Sequence, residues 1–288
     1  MNATVPASTS NRSANGASCS PRSYAFLQQL IYTESGIVLD SDKQYLMETR
    51  LLPVAKKHGI ETLDGLSAAL ASRTPPALKS EVIDAMTTNE TLFFRDPSLF
   101  DALKSTVFPE LFGARGTRRL RIWSAAASSG QEAYTLAMLM LDMGRSSADV
   151  EIVGTDLATH VLERARTGRY GQFEVGRGLP GNYLMKYFAR SGMEWEVKSS
   201  VKSLVRFQQL DLRKDLRHMG TFDLILCRNV LIYFDSATKS SILGALRQQL
   251  APSGMLALGC AETIMGLHSG YRRKAVQQAA LYTRNEEN

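Results

Sequence analysis

From Tyr24 onward the pattern is helical: Phe26, Leu27, Leu30 and Ile31 recur at three-to-four spacing, and Tyr45, Leu46, Arg50 and Leu51 repeat that spacing after the polar run Asp40-Ser41-Asp42. This period predicts two amphipathic helices, the second opened by a cap and closed near Gly59. Two shorter helices are expected over Leu63 to Ala71 and Pro76 to Met86. Together they form an all-helical unit over residues 24–88. Residues 1–23 are mostly Ser, Asn, Ala, Thr, Pro and Gly. Such a stretch buries too little apolar area to offset its ordering entropy, so a disordered tail is expected.

After Arg118 the period changes. Leu120-Arg121-Ile122-Trp123 and Glu151-Ile152-Val153-Gly154 are short apolar runs on either side of an amphipathic helix, Glu132 to Met143, which together predict a βαβ unit. The alternation continues through a helix at Ala158 to Arg166, strands at Val205 to Gln209 and Phe222 to Cys227, a helix at Ser236 to Leu250 and a strand at Met255 to Gly259. Arg272 to Gln277 and Ala280 to Arg284 read as a closing hairpin. The fold class is α/β, a doubly wound sheet over residues 89–288. Residues 89–118 are expected as a linker, and a small β element is expected to be inserted at about 189–205.

Composition narrows the function. The 288 residues are 44% hydrophobic and 22% charged, an ordinary globular balance. No apolar stretch reaches the roughly 18 residues of a spanning helix, and the start lacks a secretory h-region. A soluble, cytoplasmic protein without membrane insertion is expected. Cys19, Cys227 and Cys260 are far apart and the four histidines are scattered, so neither a disulfide framework nor a metal site is expected. The net charge of +6 and pI near 9.2 suit an acidic partner but fall short of a nucleic-acid signature.

Four stretches carry candidate chemistry. The first is Ser124-Ala125-Ala126-Ala127-Ser128-Ser129-Gly130, a turn of small residues between a strand and a helix, which lets a ligand approach the helix N-terminus. It lacks G-x-G-x-x-G, so a phosphate-free ligand such as S-adenosylmethionine fits it better than a dinucleotide; an ordinary tight turn remains the alternative. The second is Asp156 at the end of the second strand, placed either to accept ribose hydroxyls or to cap the following helix. Glu132, in a first turn, can face a ligand ammonium or merely complement the helix dipole. The third is Thr87 to Arg95, which sets Asn89 and Thr91 beside Phe93, Phe94 and Arg95 where the helical unit hands over; the aromatics otherwise dock the two domains. The fourth is Asp223 to Phe234, a buried strand ending in Arg228 and Asn229, then Tyr233, at the edge where open α/β sheets bind ligands. Cys227 and Trp123 are expected to be packing residues.

These stretches together resemble one family, the chemotaxis receptor glutamate methyltransferases known as CheR. The resemblance rests on Thr88 to Arg95, Trp123 to Glu132, Cys227 to Phe234 and Ser35-Gly36-Ile37-Val38-Leu39, and spans about residues 24 to 284. It implies S-adenosylmethionine as cofactor, S-adenosylhomocysteine as its product, and glutamate γ-methyl esters on chemoreceptor methylation helices. It also implies cofactor-site roles for Asn89, Thr91, Arg95, Glu132, Asp156, Asp211, Leu212, Arg228 and Asn229, catalytic roles for Arg95 and Tyr233, and receptor contacts from Arg50, Lys56 and Lys57. The family's Gly-Glu-Glu-Pro appears here as Gly130-Gln131-Glu132-Ala133, its common Asn as Asp211, and frequent arginines as Pro53 and Val54. A monomer is expected. So is independence from a receptor C-terminal pentapeptide tether, because Ala189 to Val197 is short and carries one glycine. The rival readings are a non-catalytic sensor of the same ligand and a methyltransferase for nucleic acid or a small molecule. The retained Arg95 and Tyr233 speak against the first, and the lack of an Asn-Pro-Pro-Tyr-type amine site speaks against the second.

Overall fold

The computed structural model describes residues 19–40, 43–72, 76–277 and 279–285. Helices α1 (Pro21–Ser35), α2 (Gln44–Lys57), α3 (Leu63–Ala71) and α4 (Pro76–Met86) pack around Leu27, Ile31, Met47, Leu51, Leu66, Val82 and Met86. Residues 19–23 do not belong to the expected tail, since Cys19 is buried and Ser20 caps α1 by accepting from the Ser23 N–H. A serine ahead of a proline at the first helical position is a start signal that the apolar period does not register. Residues 1–18 lie outside the described residues, as do Ser41 and Asp42 of the expected α2 cap. Asp40 contributes its carbonyl, which accepts from the Lys43 N–H. Helix α2 ends at Lys57, just before Gly59.

The stretch expected as a linker is largely helical: α5 (Pro97–Ala102), a π-turn (Leu103–Val107) and α6 (Phe108–Ala114) run on continuously. Leu99, Phe100, Leu103, Val107, Phe108 and Leu111 are buried at helical spacing against the sheet, which is what orders the segment.

The remaining elements are β1 (Leu120–Ala125), α7 (Gln131–Asp142), β2 (Val150–Asp156), α8 (Thr159–Thr167), β3 (Arg169–Gly171), α9 (Gln172–Gly176), α10 (Gly181–Tyr187), β4 (Phe188–Ser191), β5 (Glu194–Val197), α11 (Ser199–Lys202), β6 (Val205–Gln209), β7 (Phe222–Cys227), α12 (Ser236–Gln249), β8 (Leu250–Leu258), β9 (Tyr271–Val276) and β10 (Ala279–Arg284). A seven-stranded sheet runs β6-β2-β1-β7-β8-β10-β9. Its first five strands are parallel, and β10 and β9 add on antiparallel. Successive residues face opposite layers, so Leu224 and Leu226 join one core while Ile225 and Cys227 join the other. Burial on both faces is why these strands read as unbroken apolar runs.

The inserted element begins well before residue 189. β3, β5 and β4 form a separate antiparallel sheet in the order β3-β5-β4. A three-residue first strand next to a helix leaves little alternation to detect. The domain-docking alternative for Phe93 and Phe94 does not hold: Phe93 packs edge-on to Tyr170 and Phe188, and Phe94 to Phe100 and Tyr183, all C-terminal to the helical unit.

Candidate functional site

The chain leaves β1 toward β2 and β6 on one side, then returns to β7 and β8 on the other. The crevice at the carboxyl ends of β1 and β7 is therefore the switch point where open α/β sheets bind ligands. One pocket occupies it. Asn89, Thr91, Arg95, Glu132, Asp156, Asp211, Leu212, Arg228, Asn229 and Tyr233 all line it. Ser35 and Ile37 reach it from the end of α1, and Leu157, Leu210 and Phe234 complete apolar walls.

Backbone strain concentrates here. Six non-glycine residues among those described have positive φ: Phe94, Asp96, Ala126, Ser128, Asn229 and Gln277. The first five lie on the pocket's lining loops or directly beside Arg95. Such conformations cost on the order of 1–3 kcal/mol each and persist only where surrounding contacts over-determine them. Those contacts are visible. The Ser128 hydroxyl donates to Asn89 O at 2.7 Å, the Asn89 amide donates to Thr87 Oγ1 at 2.8 Å, and the Phe94 N–H donates to Thr135 Oγ1 at 3.2 Å.

Arg228 is the central cation, with its side chain 2% exposed. Nη1 donates to Glu132 Oε2 at 2.7 Å, and Nη2 donates to Arg95 O at 2.9 Å and to Asp96 Oδ2. Burial alone pulls the guanidinium pKa down, but Glu132 and Asp96 outweigh that and hold it above its ordinary value. Nε is buried without a protein acceptor. Glu132 thus shares its charge with Arg228, and its Oε1 accepts from the Ser124 hydroxyl at 2.7 Å.

Asp156 does not cap the following helix, whose N-cap is Ala158 without a side-chain cap bond; it ties the loops at the ends of β1 and β2 together. Oδ2 accepts from the Ser128 N–H at 2.8 Å and Oδ1 from the Ala158 N–H at 3.0 Å. A carboxylate offers about four lone-pair sites, so two remain for a ligand. Burial raises its pKa, and the backbone N–H bonds offset part of that rise. Asp211 is paired with Arg213, whose Nε and Nη2 donate to Oδ1 and Oδ2 at 3.0 and 2.7 Å.

The Arg95 guanidinium donates to Glu90 O at 3.0 Å, which keeps it on its own loop. Tyr233 accepts through its carbonyl from the Val38 N–H at 2.9 Å. Of the expected receptor contacts, Lys56 is exposed, and Lys57 is exposed and bonded to Glu81 at 2.8 Å. Arg50 differs from expectation. Its guanidinium donates to Met86 O, Thr87 O and Thr88 Oγ1 at 3.0 to 3.2 Å, so it fixes the handover segment instead of facing outward.

Sequence reasoning missed Glu262. Its carboxylate accepts four backbone N–H bonds, from Asn229 and Gly259 on Oε2 and from Val230 and Leu231 on Oε1, at 2.7 to 3.0 Å. It therefore sets the turn that carries Asn229 and leads to Tyr233. No local pattern marks such a residue; only the sheet brings β7 and β8 side by side. Cys227 and Trp123 are core residues: burial pushes the thiol well above its ordinary pKa, and the indole N–H donates to Thr155 Oγ1 at 2.9 Å. No cluster of metal-ligating groups occurs among the described residues.

Four acids (Glu90, Glu132, Asp156 and Asp211) and two arginines (Arg95 and Arg228) line the pocket. That leaves it at formal −2 inside a chain of +6. A pocket of this sign opposes a pyrophosphate and suits a ligand with a sulfonium and an ammonium. The leucine walls fit a purine.

Comparison with known proteins agrees with this geometry. Residues 22–87 match the family described as CheR methyltransferase, all-alpha domain, and residues 89–280 match CheR methyltransferase, SAM binding domain. The chain is 42% identical over 253 residues to chemotaxis protein methyltransferase 1 of Pseudomonas aeruginosa, covering 86% of this chain and 92% of that one. It is 37% identical over 268 residues to the chemotaxis protein methyltransferase of Vibrio parahaemolyticus (91% and 97%), and 34% identical over 248 residues to that of Borreliella burgdorferi (83% and 87%).

Proposed function

The chain belongs to the CheR methyltransferase family, and from that premise we propose that it methylates glutamate side chains on chemoreceptor signalling helices, as γ-esters, using S-adenosylmethionine. The observation that carries the reading is the acidic pocket at the switch point, bounded on one side by Ser35, Ile37, Thr87 and Thr88 and lined by Arg95 and Tyr233. S-adenosylmethionine, when bound, supplies an electrophilic methyl group. Asp156, Glu132, Arg228 and Asn229 would hold it. A glutamate with a reference pKa of about 4.3 is ionised at neutral pH, so the acceptor needs no general base. Catalysis then rests on placement and on excluding water. Arg95 and Tyr233 orient the acceptor carboxylate without binding it so tightly that its nucleophilicity is quenched.

Incubation with labelled cofactor and chemoreceptor-bearing membranes should label the receptor with alkali-labile methyl groups. Alkali-stable label would point instead to N-methylation. Arg95→Ala should cut transfer far more than it lowers the melting temperature, and Tyr233→Phe should do so more mildly. Unaltered turnover of Arg95→Ala at saturating cofactor removes Arg95 from the mechanism.

The enzyme acts as a cytoplasmic monomer in this reading; among the described residues no helix is long and apolar enough to cross a membrane. Docking uses Lys56 and Lys57 on α2 against acidic receptor helices, a contact that salt screens. Reversing both charges should raise KM for receptor and flatten its salt dependence while leaving affinity for S-adenosylhomocysteine unchanged; unchanged methylation excludes the docking role. The β4–β5 turn is two residues, Gly192-Met193, between the paired Ser191 and Glu194. It offers little backbone for strand addition by a receptor tail, so no dependence on a pentapeptide tether is expected. Micromolar binding of that peptide would contradict this.

A further inference from the structure

Helix α1 ends at the pocket, and one side chain from the opposite wall holds it there. Arg213 donates through Nη1 to Tyr32 O and Thr33 O at 3.3 and 3.1 Å, and through Nη2 to Glu34 O. These are C-terminal carbonyls of α1, some of which have no partner within the helix, and a cation there also complements the helix dipole. The same guanidinium grips both oxygens of Asp211. Arg213 therefore joins two pocket walls, Asp211-Leu212 and Ser35-Ile37, from segments about 180 residues apart. Two further ties lie alongside: the Tyr32 hydroxyl donates to Asp235 Oδ2 at 2.7 Å, and the Val38 N–H donates to Tyr233 O. Gly36 turns the chain between them at φ +76. A Cβ there would sit 2.7 Å from Arg213 Cδ and 3.2 Å from the Phe234 ring, so the turn is shaped around the arginine.

Resting on the reading of this pocket as the cofactor site, we propose that Arg213 is a positioning residue, which sets the wall formed by the end of α1 against Asp211 and so couples cofactor affinity to the placement of the helical unit. By linkage, whatever moves that unit changes cofactor affinity, and bound cofactor resists the movement. Lysine cannot replace it, because a point charge does not span three carbonyls and both carboxylate oxygens.

The test is calorimetry of S-adenosylhomocysteine on the full chain, with KM and kcat measured separately. Arg213→Ala should weaken binding at least tenfold and raise KM for S-adenosylmethionine more than it lowers kcat at saturation. Arg213→Lys should stay at least fivefold weak. Asp211→Asn added to Arg213→Ala should not restore affinity, because neutralising Asp211 does not recapture α1. If Arg213→Ala fails to fold, Gly36→Ala perturbs the same contact from the other side and should weaken binding in the same direction. Binding by Arg213→Ala within twofold of the parent overturns the proposal, as does full recovery in the double variant, which would make Arg213 a mere counter-ion. Failure of the parent to bind S-adenosylhomocysteine would instead overturn the reading of the pocket.

Discussion

Replacing Arg228 by methionine is expected to lower folding stability by about 3 kcal/mol and to abolish measurable methyl transfer. Methionine fills much of the same volume, so the loss isolates the charge. Breaking a buried ion pair from one side costs about 3–5 kcal/mol because the partner is left uncompensated. The low end applies here, since Asp96 is 34% exposed and can recover water, whereas Glu132 is only 13% exposed. Activity should fall further than stability explains. Arg228 also accepts the constraint of the strained turn, donating to Arg95 O beside Asp96, whose φ is +63. Without that bond the turn relaxes, and Arg95 moves with it. Urea denaturation reads the first effect, and turnover at a temperature where the variant remains folded reads the second. A variant as stable as the parent would mean that water or relaxation compensates Glu132, and the central place given to Arg228 would be wrong.

How much of this was legible in the sequence depends on distance along the chain. Helices Leu63–Ala71 and Pro76–Met86 and strands Val205–Gln209 and Phe222–Cys227 have the expected bounds, because burial of one face or of both writes a local period. The polar ends of β2 and β7 were legible for a related reason: an apolar run stops abruptly at Asp156 and at Arg228-Asn229. What escaped was the wiring between loops. Glu262 meets Asn229 33 residues away and Arg213 meets Glu34 179 residues away, and neither sits in a periodic segment. Arg50 was read as facing a receptor. In the fold it turns inward to carbonyls, a choice that depends on which backbone the tertiary packing brings near. The segment 97–114 escaped for a different reason. Its helical spacing is present in Leu99, Phe100, Leu103, Val107 and Phe108, but it is divided among three short pieces, with a π-turn between two helices of six and seven residues, so no single long period marks it.

Asp156→Asn is expected to weaken S-adenosylhomocysteine binding by about 1.5–3 kcal/mol, the range for a hydrogen bond to a charged group, or roughly ten- to hundredfold in Kd. Asparagine is a better probe than alanine, because the Ser128 and Ala158 N–H groups both depend on this side chain. It keeps one acceptor for them, though its amide NH2 also opposes an N–H, so some loss of stability accompanies it. The pH dependence separates the two effects. Burial raises the Asp156 pKa above that of an ordinary aspartate. A carboxyl raised on folding favours the folded state below its unfolded pKa, and that contribution is lost as pH rises through the folded value. In the free protein at neutral pH the ionised group is therefore a standing cost. Ribose hydroxyls of a bound ligand would donate to the ionised form and relieve that cost, so ligand affinity should fall as pH drops through the raised pKa. The fall should begin at a higher pH than an aspartate near 3.9 would produce. Asparagine cannot titrate, so the variant's affinity curve should lack that fall over the same interval. Parallel curves for parent and variant, or equal affinities at neutral pH, would take Asp156 out of the ligand site and leave it as the residue that joins the β1 turn to the start of α8.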